Sequence, residues 1–308
     1  MTFSPMVATF ACGVFICLSC SSPRIQPPKF DGDRAYGYLV KQVEFGPRVP
    51  GTEASAECRR YLCEHFSQLG LQVDSQVFDY DDPYSQTGII MVNVVASALN
   101  ESDAAVVLMA HYDCRPRAEY ASDPELMERP IDGANDGASG VAVLMEMANL
   151  FAERKPPGRV DLVLVDGEDW GKPGDHDNYM LGSREFARRG IRDRYRFGIV
   201  VDLVGDSDQQ IYREAFSERY AKPLNDVIFE TAARLEIETF YDSVKHPVLD
   251  DHISLNIGGV LSADIIDFDY AYWHTEFDTP DKCSGESLAN VGRVLAEIVY
   301  NPELWPEK

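Results

Sequence analysis

Apolar residues recur along this chain in two rhythms. Over 33–44 and 55–69 they fall at helical spacing, and in the second stretch Tyr61, Leu62, Phe66 and Leu69 form a stripe that stops at Gly70. Residues 71–78 alternate apolar and polar, the period of a half-buried strand, while 89–97 and 104–110 are continuous apolar runs of strand length. A mostly apolar stretch over 140–151 predicts a helix buried against a sheet. Further strands are predicted over 160–165, 197–203 and 260–266, with helices over 217–235 and 286–300, the last amphipathic. Strands alternating with helices imply an α/β fold, a three-layer sandwich whose central mixed, mostly parallel sheet carries helices on both faces.

The first twenty residues follow neither rhythm. Residues 1–19 carry no charge, and the apolar stretch 6–18 ends at Cys20-Ser21-Ser22-Pro23. That length suits a signal-peptide core and is too short for a membrane-spanning helix. Ser19 before Cys20, followed by a polar stretch, resembles a bacterial lipoprotein cleavage site. The expected organisation is a signal peptide over 1–20 ending at a lipidated Cys20, a Pro-containing tether over 21–31, and one catalytic domain over 32–308. Such a chain is exported and held in the periplasm or cell envelope of a bacterium by its lipid. Of the seven cysteines, Cys12 and Cys17 lie in the leader. Cys58, Cys63, Cys114 and Cys283 lack zinc-knuckle spacing and read as buried thiols or one bridge between distant segments.

With 28 basic and 51 acidic residues the formal charge is 28 − 51 = −23. This excludes a nucleic-acid footprint and an anionic membrane surface as electrostatic partners, leaving a lipid anchor as the membrane link. Nothing in the pattern sets an oligomeric state.

Five short motifs carry the candidate chemistry: His111-Tyr112-Asp113, Asn135-Asp136-Gly137, Asp166-Gly167-Glu168-Asp169, Val201-Asp202-Leu203 and Trp273-His274-Thr275. Zinc takes imidazole nitrogen and carboxylate oxygen, and a catalytic site leaves one position open. One helix or strand aims only two or three side chains at a point, so several segments must contribute. Here each motif adjoins a predicted strand or helix end, where ligands gather in open α/β sheets. Of the adjacent pair Glu168-Asp169, one carboxylate can bind metal while the other, in a drier pocket, keeps a raised pKa and shuttles protons. Asp113 is placed to orient the His111 imidazole. Taken singly, each motif reads as a capped helix, an acidic turn or a structural histidine; the ordered set does not. Asp250-Asp251-His252 is a further acidic pair, by itself the cap of a short helix. His65 and His176 read as surface or loop histidines and His246 as structural.

The order of these motifs resembles the zinc aminopeptidase family, whose fold the glutaminyl cyclases share, from about Phe45 to the C-terminal helix. Within it the chain looks most like the bacterial glutaminyl cyclases of the animal type. The supporting strings are His111-Tyr-Asp-Cys-Arg-Pro-Arg-Ala118, Gly133-Ala-Asn-Asp-Gly-Ala-Ser-Gly140, Leu181-Gly-Ser183, the run from Tyr212 to Ala221, and Tyr272-Trp-His-Thr275. The resemblance implies one zinc held by Asp136, Asp169 and His274, with Glu168 as acid and base. It also implies Asp202 and Asp250 in a hydrogen-bond network with Glu168, and Trp170 and Trp273 on the pocket wall. The implied activity is zinc-dependent glutaminyl-peptide cyclotransfer, which closes an N-terminal glutamine of a peptide or protein to pyroglutamate and releases ammonia. The alternative is a two-zinc aminopeptidase, with His111, Asp136 and Asp202 holding the second ion. An inactive binding module on the same fold is disfavoured by the intact Glu168 and ligand set.

Overall fold

The computed structural model describes Met1 and residues 24–99 and 105–307; residues 2–20 of the expected leader, Cys20 among them, residues 21–23 of the expected tether and residue 104 lie outside the described residues. Residues 25–30 of the expected tether are packed onto the domain. The Ile25 backbone exchanges hydrogen bonds with the Asn301 side chain, and Phe30 is buried in the core. Next come α1 (Gly32–Val43) and α2 (Glu53–Gln68), started by Asp31 and Thr52, whose side chains accept backbone N–H bonds from Arg34 and Ser55.

The strands β1 (Gln72–Asp81), β2 (Gly88–Ala98), β3 (Ala105–His111), β4 (Arg159–Val165), β5 (Gly198–Asp202) and β8 (Ser262–Ile266) form one sheet in the order β1-β2-β4-β3-β5-β8. Four of them, β4, β3, β5 and β8, run parallel; β2 joins β4 antiparallel and β1 pairs antiparallel with β2. The sheet is therefore mixed. The run over β3 is continuously apolar because both its faces are covered. Val106, Leu108 and Ala110 pack with α1, α2, α3 (Ala138–Glu153) and α8 (Gly285–Tyr300). Val107 and Met109 pack on the other face with Phe186 of α4 (Leu181–Arg188) and Leu255 of α7 (Asp251–Ile257). Each such Val, Leu or Met contributes about 1.5–3 kcal/mol by burial.

Chain order fixes where a cleft can form. From β3 the chain crosses by α3 to β4 on one side, then by α4 to β5 on the other side of β3. At that reversal the connections leave in opposite directions and a crevice opens at the strands' carboxyl ends.

The helix expected over 217–235 is two, α5 (Ala215–Tyr220) and α6 (Lys222–Arg234), with Ala221 at φ −135° between them. Pro223 has no N–H and its ring crowds the carbonyl one turn back, so it can only sit in the first turn of a new helix. A two-stranded sheet of β6 (Ile211–Arg213) and β7 (Phe240–Val244) flanks them. These short strands, α4 and α7 have too few residues to show a period. Cys58, Cys63, Cys114 and Cys283 are all free thiols.

Candidate active site

The motif residues meet at the crevice. His111 ends β3 and Asp202 ends β5; Glu168 and Asp169 lie in the turn after β4, Asp136 in the turn before α3, and His274 in the loop after β8. Asp250 is the N-cap of α7. The turn at Asp136 depends on Gly137, whose φ is +100° and where a Cβ would lie 2.3 Å from the Asp113 carbonyl oxygen. Asp278 accepts the backbone N–H groups of Asn135 (2.8 Å) and Asp136 (3.1 Å) and the Tyr270 hydroxyl (2.8 Å). Asp113 clamps the acidic turn likewise, accepting from Glu168 N and Asp169 N at 3.2 Å each. It also stands 3.5 Å from His111 Nδ1, so it faces both the imidazole and the turn.

Two donor sets share Asp136. In one, His111 Nε2 is 3.1 Å from Asp202 Oδ1 and 3.3 Å from Asp136 Oδ1. In the other, His274 Nε2 is 3.5 Å from Asp136 Oδ2 and 3.4 Å from Asp169 Oδ1. Each set offers three ligand atoms within 4.8 Å of one another. Asp136 Oδ2 and Asp169 Oδ2 are buried and have no hydrogen-bond partner. Buried carboxylate oxygens are normally satisfied, and a set of two such carboxylates and an imidazole fits a zinc ion.

Electrostatics separates the acids. Burial would raise Asp169, but the Arg115 guanidinium, 2.6 Å away, and His274 hold it below the usual carboxylate range. Burial, then the neighbouring Asp169, pushes Asp136 up to about 7. Glu168 is pushed well above its ordinary value by burial, then by the Asp169 charge, with Asp250 and Asp251 adding to it. This is the division expected of the adjacent pair, one acid ionised and the other able to carry a proton. Asp250 rises to about 6, through burial and then Asp202. Arg115 is a site residue that the motif reading passed over. It also pairs with Glu119 and donates to Tyr179 Oη at 2.8 Å, and Glu119 lies 3.8 Å from His274 Nδ1. An Arg inside a motif string, four residues before a Glu, was the available signal.

A cleft of about 340 Å³ opens over these groups. Its floor is Asp136, Glu168, Asp169, Asp202, Asp250 and His274, and its walls include Val248, Phe268 and Trp273. Trp273 stacks on His274 with ring centroids 3.8 Å apart. Trp170, expected on the same wall, does not line the cleft. It lies at a turn, so it points away from its neighbour Asp169, and its indole N–H donates to Asp82 at 3.0 Å. The loops over 115–130 and 172–179 both reach the cleft, the second bringing His176, which is a rim residue. His65 is half-buried instead of superficial: its Nε2 is 3.1 Å from the Met145 carbonyl and its ring packs on Tyr38. His246 Nε2 pairs with Asp269 at 3.0 Å.

Paired imidazole and carboxylate donors at the carboxyl ends of a mostly parallel sheet are the construction of a zinc-dependent α/β enzyme. Residues 93–299 match peptidase family M28, and the chain belongs to that family. It is 34% identical to the glutaminyl cyclase of Bacteroides thetaiotaomicron, whose structure was determined with N-acetylhistamine; the match covers 90% of this chain and 99% of that one, with a TM-score of 0.86. The glutaminyl cyclase of Fimbriiglobus ruber is 32% identical over 91% of this chain and 98% of its own, also with a TM-score of 0.86. A probable zinc metalloprotease of Leptosphaeria maculans is 30% identical over 199 residues, 61% of this chain and 42% of that one. The chain spans about two-fifths of the length of the curated zinc metalloproteases it matches. Among the described residues no helix is long and apolar enough to cross a membrane.

Proposed function

We propose that this protein is a zinc-dependent glutaminyl-peptide cyclotransferase acting on the N-termini of peptides or proteins. The observation that supports it is the pair of carboxyls whose burial raises their pKa, Glu168 and Asp250, facing the Asp136–Asp169–His274 donor set across one small cleft. The near full-length likeness to two glutaminyl cyclases supports the same reading. Zinc held by Asp136, Asp169 and His274 supplies a Lewis acid beside Glu168. Glu168 takes a proton from the substrate's α-amine, which attacks its own γ-carbonyl carbon, and returns a proton to the departing ammonia. Asp202 and Asp250 hold Glu168 in place, and Trp273 packs against the glutamine side chain. Nucleophile and electrophile belong to one residue, so the cleft has mainly to fold it into a near-attack shape.

A second reading is favoured by one feature, the intact His111–Asp136–Asp202 set, which could take a second zinc in an aminopeptidase. The deciding assay sets ammonia release from a glutaminyl peptide against amine release from a leucyl chromogenic substrate, with zinc counted on the same sample. Ammonia release with about one zinc per chain is expected; leucyl cleavage with about two would make the protein an aminopeptidase. In the cyclotransferase, Glu168→Gln lowers turnover by at least about 100-fold and leaves zinc bound.

We also propose export with removal of residues 1–19 and lipidation of Cys20, leaving 32–308 as the catalytic domain. The −23 charge, unsuited to electrostatic docking on anionic lipid, is compatible with an acyl anchor. Mass spectrometry of the detergent-extracted protein should find an acylated N-terminal Cys20; an intact leader or an unmodified Cys20 would refute this.

A further inference from the structure

Behind Asp250 lies a buried cluster that the reaction above leaves unused. Glu214 stands between β6 and α5, Asp264 in the middle of β8, and His252 in the first turn of α7. Their exposures are 2%, 1% and 0%, in places where the default side chain is apolar. The neighbours Ala263 and Ile265 on β8 follow that default on the sheet's other face. Ionisable groups are buried at a cost and have to be held by partners.

The partners form a line that ends at the cleft. Glu214 cannot turn, because its carboxylate accepts three backbone N–H groups, from Phe216 (2.8 Å), Ser217 (2.5 Å) and Val248 (3.0 Å). His252 Nε2 lies 3.2 Å from Glu214 Oε2, and its Nδ1 faces Asp264 Oδ2 at 3.8 Å. Asp250, His252 and Asp264 each bring one atom within 4.8 Å of the other two. One oxygen of Asp250 accepts the Asp251 N–H at 2.5 Å, while the other is buried without a partner.

We infer that His252, clamped by Glu214, is a positioning residue that sets the orientation of Asp250 through Asp264. The inference rests on the cyclotransferase reading, in which Asp250 serves the cleft. The fixed Glu214 carboxylate stands 3.2 Å from His252 Nε2, a close charged contact outside hydrogen-bond geometry that favours the tautomer with its proton on that side and so restricts the ring plane. That plane limits where the Asp264 carboxyl can lie, and Asp264 brings an oxygen within 4.8 Å of an oxygen of Asp250. Two carboxyls that face each other in a dry site share a proton, and burial, then Asp250, pushes Asp264 well above the usual carboxylate range. Asp264 thus stands within 4.8 Å of Asp250 as the neighbour through which a shift of His252 reaches it. The bond from Val248 to Glu214 ties the same anchor to the cleft wall two residues before Asp250. The run from Tyr212 to Ala221 and the Asp250-Asp251-His252 motif, separate in sequence, thus meet in one structure.

The test compares zinc-loaded His252→Gln, Asp250→Asn and their double variant in ammonia release from a glutaminyl peptide, with thermal midpoints as a folding control. His252→Gln should lower kcat about 10-fold and change KM by less than about 2-fold. It should cost nothing further in the Asp250→Asn background, since coupled residues are not additive. Glu214→Gln, whose amide oxygen keeps an acceptor for Phe216 N and Val248 N, should lower kcat in the same direction and serves as the second variant if His252→Gln does not fold. Losses that multiply in the double variant, or unchanged kcat in both His252→Gln and Glu214→Gln, would overturn the inference alone. Unchanged kcat in Asp250→Asn would instead remove the role of Asp250 in the cyclotransferase reading, and this inference with it.

Discussion

Arg115 carries its guanidinium wholly into the interior, where it meets Asp169, Glu119 and the Tyr179 hydroxyl. Its charge keeps Asp169 ionised although burial favours the protonated form. Metal binding needs that carboxylate free of its proton. In Arg115→Gln the largest effect opposing burial is removed, Asp169 rises, and protons compete with zinc at mildly acidic pH. Groups that act on a metal ligand from behind are typically worth 10–100-fold in affinity. Zinc affinity of the variant should therefore fall about 10-fold or more near pH 6 and less at pH 8. Competition with a chromogenic chelator measures it; an equal loss at both pH values would mean that Arg115 acts through shape and not through charge.

At the level of elements the site is a set of turns, each held by one carboxylate: Asp278 before α3 and Asp113 after β4. Gly137 is the tightest point, since its φ of +100° and the 2.3 Å approach to the Asp113 carbonyl both exclude a side chain. Gly137→Ala should cost about 1–3 kcal/mol in urea unfolding and also weaken zinc binding, because the turn that carries Asp136 must shift. A variant of unchanged stability would show the turn to be slack. Most of this level was legible in the chain. The elements around the site have long apolar runs, and the candidate zinc donors sit at their ends, so periodicity and motif order pointed to one place, where Asp136, Asp169, Asp202 and His274 line the cleft and His111 lies beside Asp136 and Asp202. What sequence could not place depends on direction in three dimensions. Trp170 follows the acidic pair but turns toward Asp82, and α4 and α7 are too short to show a period. The 217–235 run kept helical spacing across a break that Pro223 imposes. Arg115, Glu119 and Asp278 act on candidate zinc donors far away in sequence; only Arg115, inside a motif string and four residues before Glu119, carried a local signal, and Asp278 carried none.

For the whole molecule, the consequence of gathering so many acids is a dependence on pH that zinc should reverse. In the metal-free chain burial is the first cause that raises Asp136, Asp166 and Asp267 to about 7 and Asp250 to about 6. Unfolded, such groups lose their protons near the ordinary Asp value of about 3.9. Between about pH 4 and 7 the native state therefore binds more protons than the unfolded one, and stability falls as pH rises. Asp169 and Glu214, held below their ordinary values, have the opposite sign; their contribution is lost only as pH falls below about 4. The −23 formal charge adds repulsion in the same direction as pH rises. Zinc held by Asp136 would displace its proton, so zinc binding should tighten over the range in which the metal-free fold weakens. The thermal midpoint of the metal-free protein should accordingly decline from pH 4.5 to 7.5, while the rise produced by a fixed zinc excess grows. A metal-free midpoint that stays level or climbs across this interval would mean that the buried carboxyls are already ionised and paired without the metal, and the zinc increment would then lose its pH dependence as well.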